Sequence, residues 1–129
     1  PNKYSQQMIF DLVNETHAGC FDFLYLRMDF RNRCNVGYAF INFTRPEHVI
    51  SFAGRVHGKR WARFNSDKVC NLTFARIQGL DALIEKFRAS KVMFEAPAYR
   101  PKLFHTEGPL TGHEIPFPTP NTMINNNKY

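Results

Sequence analysis

Cysteine is scarce in this chain: three in 129 residues, at Cys20, Cys34 and Cys70, an odd number with no paired spacing. That excludes the disulfide framework of a small secreted domain and reads as the reduced thiols of an intracellular protein. Grouping His17 with Cys20 and Cys34 does not reproduce the ligand spacing of a zinc site. No apolar run approaches transmembrane length and no signal-peptide pattern is present, so no membrane partner is expected. None of the seven glycines sits in a phosphate-cradling loop. The acidic residues are scattered, so no carboxylate pair can be argued for acid–base work. Cys70 has no histidine near it in sequence to activate it. No cofactor, metal or small-molecule substrate is therefore expected, and no catalysis. The first residue is Pro1 rather than methionine, which reads as a piece of a longer chain. The sequons at Asn14, Asn42 and Asn71 read as chance, since two of them fall in expected strands. No internal repeat is visible.

What the chain does have is aromatic side chains and positive charge. Hydrophobic residues make up 43%, aromatics 15%, and 13 residues are phenylalanine. That is enough for one packed domain with a tail. Lys and Arg outnumber Asp and Glu by 17 to 11, giving a net charge of +6. Such a balance fits either an anionic partner or a merely basic surface.

Ser5 is positioned to cap a helix, with Tyr4 and Ile9 as a hydrophobic staple and Gly19 as a left-handed stop. Phe21 to Phe30 alternates as a strand, with Leu24, Leu26 and Met28 on one side and Phe23, Tyr25, Arg27 and Asp29 on the other. A basic loop, Arg31 to Asn35, leads to a second strand. Thr44 and Glu47 read as a capping box with Pro46 in the first turn, opening a helix that buries Val49, Ile50, Phe52 and Ala53. A long basic connection from Gly54 to Asp67 carries Trp61, read as its anchor. Val69 to Ala75 alternates as a further strand. Leu80, Leu83, Ile84 and Phe87 follow helical spacing, placing a third helix at about 79–90. Residues 1–95 form the expected domain. Residues 96–129 are an extension rich in Pro, then Asn. Within it, PFPTPN and the final NNNKY read as irregular and partly disordered.

The order helix, strand, strand, helix, strand, helix is that of an α+β, ferredoxin-like split βαβ sandwich lacking its first strand, with an added C-terminal helix. Two helices would cover one face of an antiparallel sheet and leave the other bare. The stretch Val36 to Phe43, VGYAFINF, then becomes informative. Ala39, Ile41 and Phe43 point one way, while Tyr38, Phe40 and Asn42 point to the face that should be bare. Either both faces are buried, or the second meets a partner that accepts flat rings.

This stretch resembles the first ribonucleoprotein motif of the RNA recognition motif, with Val36 where the pattern has Lys or Arg. A narrower resemblance runs through PNKYSQQM, FDFLYLRMDF, NVGYAFINF, the IQG-LDALIEKFR helix, AYRPKLF and the tail. These segments are similar to the C-terminal RNA recognition motif of the Mei-two-like regulators of meiosis and development. The resemblance implies single-stranded RNA as the partner, a nuclear or cytoplasmic location and no catalysis. In that family, Pro1-Asn2-Lys3 would follow directly on a first strand lying between the second strand here and Val69–Ala75. Either that strand belongs to a longer chain, or Val92–Phe94 or Lys102–His105 fills its place. With neither, two strand edges would be unpaired.

Tyr38 and Phe40 occupy the motif's stacking positions, with Tyr25 and Arg27 extending the platform from the neighbouring strand. Asn42, Asn71 and Thr73 could read base edges, or be plain solvated strand residues. Arg76 and Gln78, just past the expected last strand, are further candidates by resemblance. Arg33, with Arg31 and Lys3, could neutralise phosphates. The competing expectation is a protein-docking or self-association module in which the third helix lies across the sheet and hides Tyr38 and Phe40.

Overall fold

The structure, a computed structural model, describes residues 1–119. Ser5 adopts extended backbone and its Oγ accepts a hydrogen bond from the Met8 N–H at 3.2 Å, starting helix α1 (Gln6–His17). Tyr4 and Ile9 are both buried, as a staple requires. Gly19 turns the chain out with φ of +77°, a left-handed conformation open to glycine at little cost. Strands β1 (Phe21–Asp29) and β2 (Cys34–Phe43) then pair antiparallel, Leu24 opposite Ile41 and Tyr25 opposite Phe40.

Helix α2 (Pro46–Val56) departs from expectation at two points. Its N-cap is Arg45, with no side-chain capping bond, so the Thr44–Glu47 capping box does not form. The Glu47 carboxylate instead accepts from Arg45 Nε at 3.1 Å. Ile50 is 73% exposed, because the face turned to the core runs through Phe52 and Val56. Ile50 lies two positions from Phe52, well round the helix.

Val69–Ala75, expected as the last strand, does not form one. A single bridge, Arg60 to Val69, closes the connection after α2 into a hairpin-like loop. Trp61 anchors that loop by packing edge-on to Tyr4, ring centroids 5.0 Å apart. Leu72 of Val69–Ala75 packs on the core with Cys70, but Phe74, expected inward with Leu72, is 85% exposed. A strand, however, needs a neighbouring backbone to receive its N–H and C=O groups along its length, and here that pairing stops at Cys70, whose N–H reaches the Lys59 carbonyl and whose C=O accepts from the Gly58 N–H; the Leu72 N–H goes to His57 Nδ1 instead.

Helix α3 (Leu80–Arg88) is followed by 3₁₀ turns at Lys91–Phe94 and Pro97–Tyr99, then by β3 (Lys102–Phe104) and β4 (Glu114–Ile115). The extension expected to be irregular thus contributes two strands. The sheet order is β2-β1-β3-β4, antiparallel throughout. β3 pairs Leu103 with Phe23 and Lys102 with Leu24, on the side of β1 away from β2. Neither candidate filler therefore takes the place of a first strand: Val92–Phe94 is 3₁₀, and Lys102–Phe104 widens the sheet at the opposite side. β2 remains an edge strand. The disorder expected for NNNKY lies outside the described residues, as does the end of PFPTPN.

Both faces of the sheet are covered, which corrects the expectation of a bare face. On one side α1 and α2 enclose Ile9, Val13, Phe21, Leu24, Leu26, Phe52, Val56 and Phe104. On the other, Leu83 and Phe87 of α3, with Val92 and Met93, pack onto Phe23, Tyr25 and Leu103. The cause is visible in β1, where two aromatic rings, Phe23 and Tyr25, point to the second face. Burying such side chains is worth about 1.5–3 kcal/mol each, so the apolar stripe of α3 is drawn onto them.

Candidate nucleic-acid interface

The cover is incomplete, and what it leaves open lies on β2. Arg27 of β1 stands alone against Val36–Tyr38, an irregularity between the Leu26–Ala39 and Met28–Asn35 pairs. Gly37 sits inside it with φ of +104°, a backbone setting that L side chains rarely adopt. The local kink is held by Asn35. Its buried Nδ2 donates to the carbonyls of Pro1 and Tyr4 at 2.9 and 3.0 Å, and its Oδ1 accepts from the Gly37 N–H at 2.8 Å.

On this support Tyr38 presents its ring with 46% of its surface exposed. Arg27 Nη1 donates to the Tyr38 hydroxyl at 2.6 Å, and its guanidinium lies 6.0 Å from the ring centre. Phe40 meets Tyr38 edge-on at 5.6 Å and tilts against Phe87 of α3 at 5.9 Å, so it is half-buried. The open strip is thus one exposed ring, the flank of a second, and a cation beside them. That combination suits a π-face followed by an anion.

Tyr25 is corrected from its expected place on an open platform. Only 5% of it is exposed, and Phe87 caps it edge-on at 5.0 Å. Burial pushes its phenol above the ordinary range, against the pull of Arg27. Asn42 is half-buried and donates to Asp22 Oδ1 at 2.8 Å, so its amide is already engaged. Burial raises the Asp22 carboxyl from its usual value, and the Asn42 bond opposes that rise. Asn71, Thr73 and Arg76 are exposed, but their segment is outside the sheet, so no strand carries them beside Tyr38. Gln78 turns back to donate to the Ala75 carbonyl at 2.7 Å.

Arg31 and Arg33 are exposed in the β1–β2 turn. Arg33 takes a left-handed φ of 55°, and Asp29 organises the turn by accepting from the backbone of Arg31 and Asn32. Lys3 is exposed in the N-terminal segment, which lies against the start of β2, the Asn2 carbonyl accepting from the Asn35 N–H at 3.3 Å. The structure therefore brings Arg27, Tyr38 and Phe40 together, buries Tyr25, engages Asn42 with Asp22, and leaves Asn71, Thr73 and Arg76 off the sheet. Sequence reasoning missed Asn35, whose burial no local pattern announces. Among the described residues no cluster of His, Cys, Asp or Glu could hold a metal ion, and no helix is long and apolar enough to cross a membrane.

An antiparallel sheet backed by two helices, with Gly37-Tyr38-Ala39-Phe40 displayed beside a basic turn, defines a domain of the RNA recognition motif class. The pattern described as RNA recognition motif 2 matches residues 1–88, and the chain belongs to that family. It is similar to Meiosis protein mei2 of Schizosaccharomyces pombe, 56% identical over 121 residues, covering 94% of this chain and 16% of that protein. It is similar also to Protein MEI2-like 4 of Oryza sativa subsp. japonica, 52% identical over 118 residues, covering 92% of this chain and 12% of that protein. Protein MEI2-like 1 of Arabidopsis thaliana is 52% identical over 118 residues, with 92% and 13% covered. The chain thus spans between 12% and 16% of the length of these relatives.

Proposed function

We propose that this domain binds single-stranded RNA through the strip that α3 leaves open, as part of a regulator of meiosis or RNA metabolism. The observation that carries the reading is the exposed Tyr38 ring, at the motif's stacking position and hydrogen-bonded to Arg27. Base stacking on such a ring is worth about 1–3 kcal/mol. Arg27, Arg31 and Arg33 supply the positive charge a phosphate chain needs, and the net charge of +6 supports approach of a polyanion. No catalytic role is proposed, and a nuclear or cytoplasmic location goes with this reading.

The test is fluorescence anisotropy with a labelled degenerate ten-nucleotide RNA pool at two salt concentrations. Wild type should bind, and bind more weakly at higher salt, because phosphate neutralisation releases counterions. Tyr38→Ala should lose roughly 5- to 150-fold in affinity, the range that 1–3 kcal/mol of stacking implies. Absence of RNA binding, or an unchanged Tyr38→Ala, sinks the reading.

One observation favours a second reading. α3 seals Phe23, Tyr25 and one flank of Phe40, rings that an open platform would offer to bases. A sheet sealed this way suits docking to a protein or to a second copy. Association by that route would be insensitive to salt, which separates the two.

A further inference from the structure

The N-terminal segment and the loop after α2 meet beside the bend of β2, and a run of direct contacts joins them. Asn35 Oδ1 accepts from the Gly37 N–H at 2.8 Å, and Asn35 Nδ2 donates to the Tyr4 carbonyl at 3.0 Å. The Tyr4 ring meets the Phe64 ring edge-on at 5.4 Å, and its hydroxyl accepts from the Arg63 N–H at 3.1 Å. Between the two segments lies an open cavity of about 220 Å³, lined by Pro1, Asn2, Lys3, Phe64, Ser66 and Lys68. Lys3 and Lys68 are exposed and enter no ion pair among the described residues. Asp67, the carboxylate next to Lys68 in the chain, is taken by Arg60. Phe64 is 43% exposed and carries the Arg63 guanidinium 5.5 Å from its ring centre. Its φ is +65°, a conformation that a bulky side chain rarely adopts, and Asn65 follows at +51°. Backbone of that kind persists only where its surroundings impose it, and such positions gather at binding sites. The cavity is smaller than the clefts of about 300–1,000 Å³ that enclose a whole small molecule. It suits one unit of a longer ligand, with an anion for the lysines and a flat group for the ring.

We propose that this cavity is a second nucleotide subsite, off the sheet, in which Lys3 and Lys68 hold backbone phosphates and Phe64 stacks a base of the same RNA strand that engages Tyr38. This rests on the RNA-binding reading. Tyr38 adjoins Gly37 in the chain, so one buried side chain, Asn35, separates the bend that presents Tyr38 from the Tyr4–Phe64 pair. The open strip offers one full ring and one cation; the cavity adds a ring and two charges. A lysine ammonium meets a phosphate as a point charge, and a ring outside the sheet accepts any base, because every base has a π-face.

The experiment titrates wild type, Tyr38→Ala, the double variant Lys3→Gln with Lys68→Gln, Phe64→Ala, Phe64→Tyr and Lys91→Gln with the degenerate ten-nucleotide pool, over roughly 50 to 200 mM salt, with a thermal melt of each. The logarithm of affinity falls linearly with that of salt, by about 0.7 for each phosphate neutralised on a single strand. The lysine pair should lower this slope by about 1.4, so its deficit in affinity should narrow roughly sevenfold across that salt range. Tyr38→Ala should lose affinity at an unchanged slope. Lys91→Gln removes an exposed charge outside the cavity and should leave the slope where it is. Phe64→Ala should weaken binding roughly 5- to 150-fold, the span of about 1–3 kcal/mol per stacked base, and Phe64→Tyr should bind like wild type. Phe64→Ala also uncovers Tyr4; if its melt falls, the lysine pair, whose melt should not move, decides alone. If Tyr38→Ala loses affinity while the lysine pair keeps the wild-type slope, or if Lys91→Gln lowers the slope as much per charge, the inference is overturned and the RNA reading stands. If Tyr38→Ala is also silent, or nothing binds, both fail together.

Discussion

Gln6→Leu tests the reasoning most directly, because one side chain ties three elements together. Gln6 is a buried residue in the first turn of α1. Its Oε1 accepts the Leu26 N–H of β1 at 2.8 Å, inside the core. Its Nε2 donates to the Arg100 carbonyl at 2.7 Å and approaches the Ala98 carbonyl at 3.4 Å, in the segment leading to β3. Leucine keeps much of the volume and removes all three contacts. The stranded Leu26 N–H costs about 1–3 kcal/mol, and the partly accessible Arg100 carbonyl adds less, so the sum is about 2–3 kcal/mol. Urea slopes for small domains are about 1–3 kcal/mol per molar, so the unfolding midpoint should fall by roughly 0.7–3 M. The sole tryptophan, Trp61, packs on Tyr4 at the N-terminal side of the same core and reports the transition by its fluorescence. A midpoint shift below about 0.3 M would refute the claim that this bond network closes the fold. Gln6→Glu offers a control with a signature of its own. It restores an acceptor for Leu26 but faces Arg100 with another acceptor, so it should be weak at neutral pH and recover as the carboxyl protonates.

Three further outcomes concern the packing of single side chains. Phe87→Ala removes the ring that meets Phe23, Tyr25 and Phe40, so stability should drop by about 3–5 kcal/mol in urea melts; tighter RNA binding by whatever fraction stays folded would show that α3 competes with RNA for the sheet. His17 is buried between Phe43 and Phe52, and burial, then Arg55, hold its pKa below the ordinary 6.5. The unfolded chain therefore takes up the proton first, so this contribution is intact above pH 6.5 and is lost as pH falls through the lower folded value; the gap in urea midpoint between wild type and His17→Gln should narrow from pH 8 to pH 5.5, and a constant gap would contradict it. Gly19→Ala places a Cβ 2.6 Å from Thr111 Cγ2 at a left-handed φ, so it should destabilise by at least the 1–2 kcal/mol of that conformation, and adding Thr111→Ser should return only the part due to the clash.

The elements that sequence displayed well were those whose signals are local. Ser5, Tyr4, Ile9 and Gly19 announced α1 because a cap, a staple and a stop all act within a turn of the helix they bound. Alternation sorted the two faces of β1 and β2 correctly, down to Leu24, Leu26 and Met28 against Phe23 and Tyr25. Alternation failed at Val69–Ala75, because it describes side chains while a strand is made by its neighbour's backbone. The C-terminal strands failed in the other direction. Lys102–Phe104 is too short to show a period, and it is a strand only because β1 offers it an edge. At the candidate site, Tyr38 and Phe40 were legible through the motif, and Arg27 through the alternation of its strand. Tyr25 was misplaced because its environment is set by Phe87, 62 positions away.

The way β3 joins the sheet also sets when the sheet can exist. β1 waits for Leu103 to pair with Phe23, and Gln6 waits 94 residues for the Arg100 carbonyl. At a synthesis rate of about 5–20 residues per second, that interval is roughly 5–20 s, whereas an isolated helix relaxes in about a microsecond. During it the nascent chain holds α1, the β1–β2 hairpin and α2, with Phe23 and Tyr25 uncovered until α3 emerges. Closure then depends on contacts of large sequence separation, the kind that slows folding. The two rings of β1 thus stay open to water until α3, the turn after it and Leu103 close over them.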